Sequence, residues 1–144
     1  MNKNILIVDD SSYFRKALAD ILINIGVASV TEASSGPEML SLLPQLDADV
    51  VFIDIKLPGF SGIDTTKIAH QKYPHMMIIG FSSMEDTKYI YSLMEAGASG
   101  FLSKNKDNYD LIEDIVKGRI NKDIFSTGLE INNYKNEEIK IVNA

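Results

Sequence analysis

Three aspartates at the ends of two apolar runs are the groups best placed to do chemistry. Asp9 and Asp10 follow Asn4-Ile5-Leu6-Ile7-Val8, and Asp54 closes a run that begins at Asp49 and continues through Val50-Val51-Phe52-Ile53. A carboxylate delivered by a buried strand is costly unless something there uses it. If the two runs are neighbouring strands, the acids converge, and two like charges about 4 Å apart repel by roughly 4 kcal/mol at an effective dielectric near 20. Three acids at one rim therefore call for protonation or a cation. Oxygen-only ligands at a solvated rim select a hard divalent ion such as Mg²⁺, which keeps several waters. Taken singly, each aspartate is better explained as a helix cap or turn former. Ser82 and Lys104 change that balance, because each ends a further apolar run. A hydroxyl and an ammonium facing a carboxylate–metal cluster suit a phosphoryl group.

The elements that must position these groups alternate regularly. Asn4 to Val8 reads as a central strand, and Phe14, Ala17, Leu18, Ile21, Leu22 and Ile25 then repeat at helical spacing up to Gly26. Val27 to Ala33 reads as a second strand. Ser35-Gly36-Pro37 opens a helix carrying Met39, Leu40, Leu42, Leu43 and Leu46. Asp49 to Asp54 is the third strand, broken by Pro58, Gly59 and Gly62 before a helix capped by Ser61 with Ile63, Ile68 and Ala69 inward. Met76 to Phe81 is a fourth strand, Asp86 to Ala96 a helix, Ser99 to Ser103 a fifth strand and Asp107 to Lys117 a last helix. Five strand–helix alternations with short connections predict an α/β fold, a doubly wound parallel sheet covered on both faces. In such sheets ligands bind at the carboxyl ends of the strands, where all these polar groups fall. The division expected is a domain over 1–120 and a tail or linker over 121–144.

Composition narrows the class. The chain has 144 residues, 45% of them hydrophobic and 24% charged, which suits one globular domain. A net charge of -6 argues against a general nucleic-acid surface. There is no cysteine, so disulfides and thiolate metal sites are excluded. No run approaches the roughly 20 apolar residues of a membrane span, and the N-terminus does not read as a signal peptide. The expectation is a cytoplasmic protein. His70 and His75 lack partners at metal-ligand spacing, and Tyr89 and Tyr91 read as half-buried packing residues.

Over about residues 3 to 120 the chain resembles a bacterial response-regulator receiver domain, closest to receivers that precede a LuxR-type helix-turn-helix. The resemblance rests on Ile7-Val8-Asp9-Asp10, on Asp54 with Pro58 and Gly62, on Ser82-Ser83 after an apolar strand, and on Gly97-Ala98-Ser99-Gly100-Phe101-Leu102-Ser103-Lys104. It implies a flavodoxin-like three-layer sandwich with five strands in the order 2-1-3-4-5. It implies that Asp54 accepts a phosphoryl group from a sensor histidine kinase or phosphotransfer protein. Asp10 and Asp54 would ligate Mg²⁺ with the backbone carbonyl of Lys56, and Asp9 would act directly or through water. Lys104 would pair with the phosphoryl oxygens, Ser82 would move to hydrogen-bond them, and Phe101 would turn inward. On this reading the chain is a signalling switch and not an enzyme, with room for a homodimer on phosphorylation and no contact with membrane.

Three positions depart from the common pattern: Asn105 stands where proline is frequent, Ser82 where threonine is commoner, and Phe101 where tyrosine is often found. None removes the expected chemistry. Lys56 and Met84 lie two residues past Asp54 and Ser82, so both should flank the path of an attacking water. A Mg²⁺-dependent aspartyl phosphatase of the haloacid-dehalogenase type needs a second acid two residues after its nucleophile, and Ser11 and Ser12 follow Asp9-Asp10 instead. A flavodoxin needs a first loop that cradles phosphate, which two aspartates would repel. Two output roles remain open, a stand-alone receiver acting by protein binding and the receiver half of a transcription regulator. The segment 121–144 is too short for a helix-turn-helix domain, so this chain should not bind DNA itself.

Overall fold

The apolar runs become strands whose alternate residues face opposite layers. The structure, a computed structural model, describes residues 3–126. Its strands are β1 (Asn4–Val8), β2 (Ser29–Ala33), β3 (Val50–Asp54), β4 (Met77–Ser82), β5 (Gly100–Ser103) and β6 (Ile124–Phe125). Its helices are α1 (Ser12–Ile25), α2 (Gly36–Leu46), α3 (Gly62–Lys72), α4 (Thr87–Glu95) and α5 (Tyr109–Val116). All strand pairs are parallel, in the order β2-β1-β3-β4-β5-β6. The chain winds outward from β1 to β2 and then crosses to β3, so the direction of winding reverses between β1 and β3. That crevice is where an open α/β sheet binds ligands.

Side chains at period two sort the core. Ile5, Ile7, Val50, Phe52, Ile79, Phe81 and Leu102 pack with Leu18 and Leu22 of α1 and Ile112, Ile115 and Val116 of α5. Leu6, Val8, Val51, Ile53 and Ile78 face the other way, onto Met39 and Leu43 of α2 and Ala69 of α3. A third cluster joins Ile55 and Phe101 to Ile90 and Leu93 of α4. At about 1.5–3 kcal/mol for each fully buried aliphatic or aromatic side chain, these layers supply the rigidity that holds the strand ends in place.

Helix starts follow the capping signals. Ser11, Ser35 and Ser61 accept from the N–H groups of Phe14, Glu38 and Asp64, and Asp86 accepts from Lys88. Gly62 is required by close approach: a Cβ there would collide with the carbonyl oxygen of Asp54, so α3 can begin directly over the end of β3. The buried face of α3 differs from expectation. Thr65, Thr66 and Ala69 are buried while Ile63 and Ile68 are half-buried. Thr65 tolerates burial because its hydroxyl donates to Ser61 O at 2.8 Å.

The sheet also has one strand more than the five expected. Ile124–Phe125, inside the segment read as tail, pairs with Gly100–Phe101. A two-residue strand has no periodicity for a sequence to display. The expected tail from 127 onward lies outside the described residues. Among the described residues no helix is long and apolar enough to cross a membrane.

Candidate functional site

Parallel strands deliver their last residues to one rim, and β1 and β3 are hydrogen-bonded neighbours with Val8 opposite Ile53. Asp9 and Asp54 therefore meet, as their placement predicts. Asp9 is 1% exposed and Asp54 7%, whereas Asp10 is solvent-exposed. Carboxylate oxygens from all three lie within 4.8 Å of one another.

Lys104, one residue past β5, reaches across β4 to the acids. Its ammonium lies 2.7 Å from Asp9 Oδ2 and 3.3 Å from Asp54 Oδ2. The other oxygen of each acid is held by the turn after its strand: Ser11 N–H donates to Asp9 Oδ1 at 2.8 Å and Lys56 N–H to Asp54 Oδ1 at 3.0 Å. Burial pushes the Asp54 carboxyl above its ordinary value, the Lys104 charge and the Lys56 N–H hold it down, and the Asp9 charge adds to the rise.

Ser82 sits on the same rim, 3% exposed. Its hydroxyl oxygen accepts from Met84 N–H at 3.0 Å, and its carbonyl accepts from Lys104 N–H at 2.9 Å. The serine is thus adjacent to the lysine through backbone, while its side chain is engaged in its own loop. Phe101 is fully buried, its ring already inward among Ile55, Ile90, Leu93 and Ala98. For Lys56 the backbone N–H is the group that touches Asp54.

Four contributors escaped the sequence reading. Phe14 lies beneath the Lys104 ammonium, 4.2 Å from its ring centroid, and meets Phe81 edge-on at 5.3 Å. Its helical spacing had marked it only as core. Arg15 donates to the Asp9 carbonyl at 2.6 Å and pairs with Glu32 at 3.0 Å. Asn105 donates through its side chain to Ser83 O at 2.9 Å and through its backbone to Ser103 Oγ at 3.1 Å, tying two rim loops together. Ser126 meets Ser103 N–H at 2.8 Å and Asn108 Oδ1 at 2.6 Å. Only the absence of proline at 105 was visible beforehand, as a departure whose use was unread. Tyr89, expected half-buried, is 43% exposed and borders a cleft with Asp10, Lys56 and Pro58. His70 packs away from the acids, its ring against Gly97.

A comparison with protein families matches the response regulator receiver domain over residues 5–116. This chain belongs to that family. The receiver is 30% identical over 112 residues to response regulator GacA of Pseudomonas viridiflava, covering 77% of this chain and 52% of GacA. It is 35% identical over 104 residues to chemotaxis protein CheY of Thermotoga maritima, covering 72% of this chain and 87% of CheY. Among solved structures, a LuxR-family two-component response regulator from Aurantimonas sp. SI85-9A1 superposes with a TM-score of 0.80 at 26% identity, over 96% of this chain and 99% of that one. The receiver spans about half the length of the GacA relatives it matches. The phosphatase and flavodoxin readings are not favoured. The chain is a receiver domain of two-component response regulators, with the sheet and five helices of the CheY fold.

Proposed function

We propose that Asp54 is the phosphoacceptor and that Asp9, Asp10 and the Lys56 carbonyl complete a Mg²⁺ site with it. The observation that carries the reading is the placement of one ammonium against two buried carboxylates, with a third, exposed acid on the same cluster. The donor set fits the metal: oxygen donors only, no nitrogen or sulfur, and one acid open to water. When bound, Mg²⁺ would neutralise charge on the acids and on the incoming phosphoryl oxygens.

The chain's own groups account for the remainder. Lys56 N–H fixes one oxygen of Asp54, which leaves the other as the nucleophile beside Lys104. Attack by that oxygen on phosphorus breaks the P–N bond of a phosphohistidine donor, and the imidazole departs and takes up a proton. Little covalent work falls to the protein, so positioning and charge placement do most of the catalysis. Lys104 then binds phosphoryl oxygens, and the Ser82 hydroxyl, which accepts from Met84 N–H, donates its proton to one of them. The product adds about one and a half to two negative charges, by analogy with other phospho-residues. Phe101 follows Ser82 within its cluster and alters the α4–β5 surface.

The partners proposed are a sensor histidine kinase or phosphotransfer protein, in the cytoplasm, with a homodimer on phosphorylation. This chain acts as a switch rather than as a turnover enzyme and does not itself contact DNA. The Lys104-Asn105 junction favours the receiver portion of a transcription regulator. Incubation with a small acyl phosphate and Mg²⁺, followed by intact mass, should show an adduct of about 80 Da that Asp54→Asn abolishes. An adduct that persists in that variant refutes the assignment.

A further inference from the structure

We propose that β6 is a sensing strand, which loosens from β5 when Asp54 is phosphorylated. The inference rests on Asp54 being the phosphoacceptor. It concerns residues beyond the 5–116 that match the family.

The strand is held by a closed polar network. Ser126 Oγ accepts from Ser103 N–H at 2.8 Å and donates to Asn108 Oδ1 at 2.6 Å. Asn108 in turn donates to Ser103 O at 2.8 Å. Ser103, Asn108 and Ser126 are all buried, so water cannot replace a lost bond in place. Ile124 N–H and Ser126 N–H donate to Ser99 O and Phe101 O at 3.1 and 3.3 Å.

The same few residues of β5 serve the reactive rim. Successive backbone N–H groups point to opposite sides: that of Ser103 goes to Ser126, and that of Lys104 goes to Ser82 O at 2.9 Å. The end of β5 is therefore held between the switch serine and β6. Lys104 now sits closer to Asp9 than to Asp54. A phosphoryl group on Asp54 shifts the balance of negative charge to that side and draws the ammonium with it. Ser82 Oγ accepts from Met84 N–H, so its own proton remains to be turned toward the phosphoryl oxygens. β4 and β5 already sit at hydrogen-bonded spacing, so these movements act by rotating the end of β5, which turns Ser103 N–H off Ser126.

Packing makes the response abrupt rather than graded. Gly100 leaves no room for a Cβ, which would collide with the Ile124 carbonyl oxygen, so β6 fits β5 at close contact or not at all. Phe125 packs against the cluster that contains Phe101. Two discrete packings are what convert a small displacement into release. Linkage requires the converse: whatever unseats β6 must favour the phosphorylated state.

The test is backbone amide exchange of the full chain with and without excess small acyl phosphate and Mg²⁺, with intact mass recorded in parallel. Phosphorylation should accelerate exchange at Ile124 and Ser126 at least tenfold, with no change in Asp54→Asn. Gly100→Ala, which displaces β6 without touching the acids, should show fast exchange before any donor is added and a severalfold longer-lived adduct. Ser126→Ala provides the same pair of readouts by removing the hydroxyl alone. An adduct on the wild type with exchange unchanged or slowed overturns the sensing strand and leaves the phosphoacceptor standing. Absence of any adduct overturns both.

Discussion

The Lys104 ammonium is 2.7 Å from Asp9 and 3.3 Å from Asp54, so its tighter partner is not the acid proposed to react. Asp9 is almost wholly buried, and in this state the lysine is what neutralises it. Removing one member of a fully enclosed pair costs about 3–5 kcal/mol. Lys104 is 20% exposed and Ser11 N–H also supports Asp9, so Lys104→Ala should lose nearer ~2 kcal/mol. Added Mg²⁺ should raise the melting temperature of that variant more than that of the wild type. Thermal melts with chelator and with Mg²⁺ check both points, and equal metal-dependent shifts would contradict them.

Asp54 carries a stability penalty with a defined pH dependence. Burial raises its carboxyl above the ordinary value, against the pull of Lys104 and Lys56 N–H. The folded state then holds its proton to higher pH than the unfolded chain. Charged Asp54 therefore subtracts stability above the raised value, and the penalty fades as pH falls through that value toward the ordinary carboxylate range. Without Mg²⁺, Asp54→Asn should melt higher than the wild type at neutral pH. The advantage should shrink on acidification; a constant difference across pH would refute the cause given.

Phosphoryl lifetime should depend on Met84. Its N–H holds Ser82, and its side chain is half-buried two residues past the end of β4. On the proposed phosphoacceptor reading, an apolar side chain at this position would keep water from the aspartyl phosphate. Met84→Glu should speed dephosphorylation about tenfold, equivalent to roughly 1.4 kcal/mol of barrier. Loss of adduct with time after donor removal measures it, and an unchanged rate would exclude a water-shielding role.

Ser82 and Ser126 should separate cleanly in their effects. Ser126→Ala leaves a buried N–H and a buried amide oxygen without partners, at a cost of about 1–3 kcal/mol. Ser82→Ala strands only Met84 N–H in a loop that water reaches, so its stability should change by under about 1 kcal/mol. Denaturant midpoints at constant slope distinguish the two, and a reversed order would mean the networks are misjudged.

What the sequence disclosed was whatever a run of several residues repeats. The strands β1 and β3–β5 show as apolar runs, and β2 as a weaker one. Ser11, Ser35 and Ser61 mark their helices because a cap is a local contact. Neighbouring β1 and β3 then bring Asp9 to Asp54, with Lys104 arriving from β5. Pairings between distant residues of ordinary type were not legible. Phe14 under Lys104, Asn105 across to Ser83 and Ser126 onto Asn108 are separated by 90, 22 and 18 positions and carry no local signature. The inward face of α3 was misread for a related reason: Thr65 is made acceptable to the core by a bond to Ser61 O, which hydrophobicity does not register.

The ring of Phe14 beneath the Lys104 ammonium gives this protein a natural place for an optical reporter. The chain has no tryptophan, and an indole binds a cation more strongly than a phenyl ring does. A single Phe14→Trp substitution would create one emitter whose fluorescence rises or falls with the lysine's departure, turning an electrostatic rearrangement into a signal readable in real time.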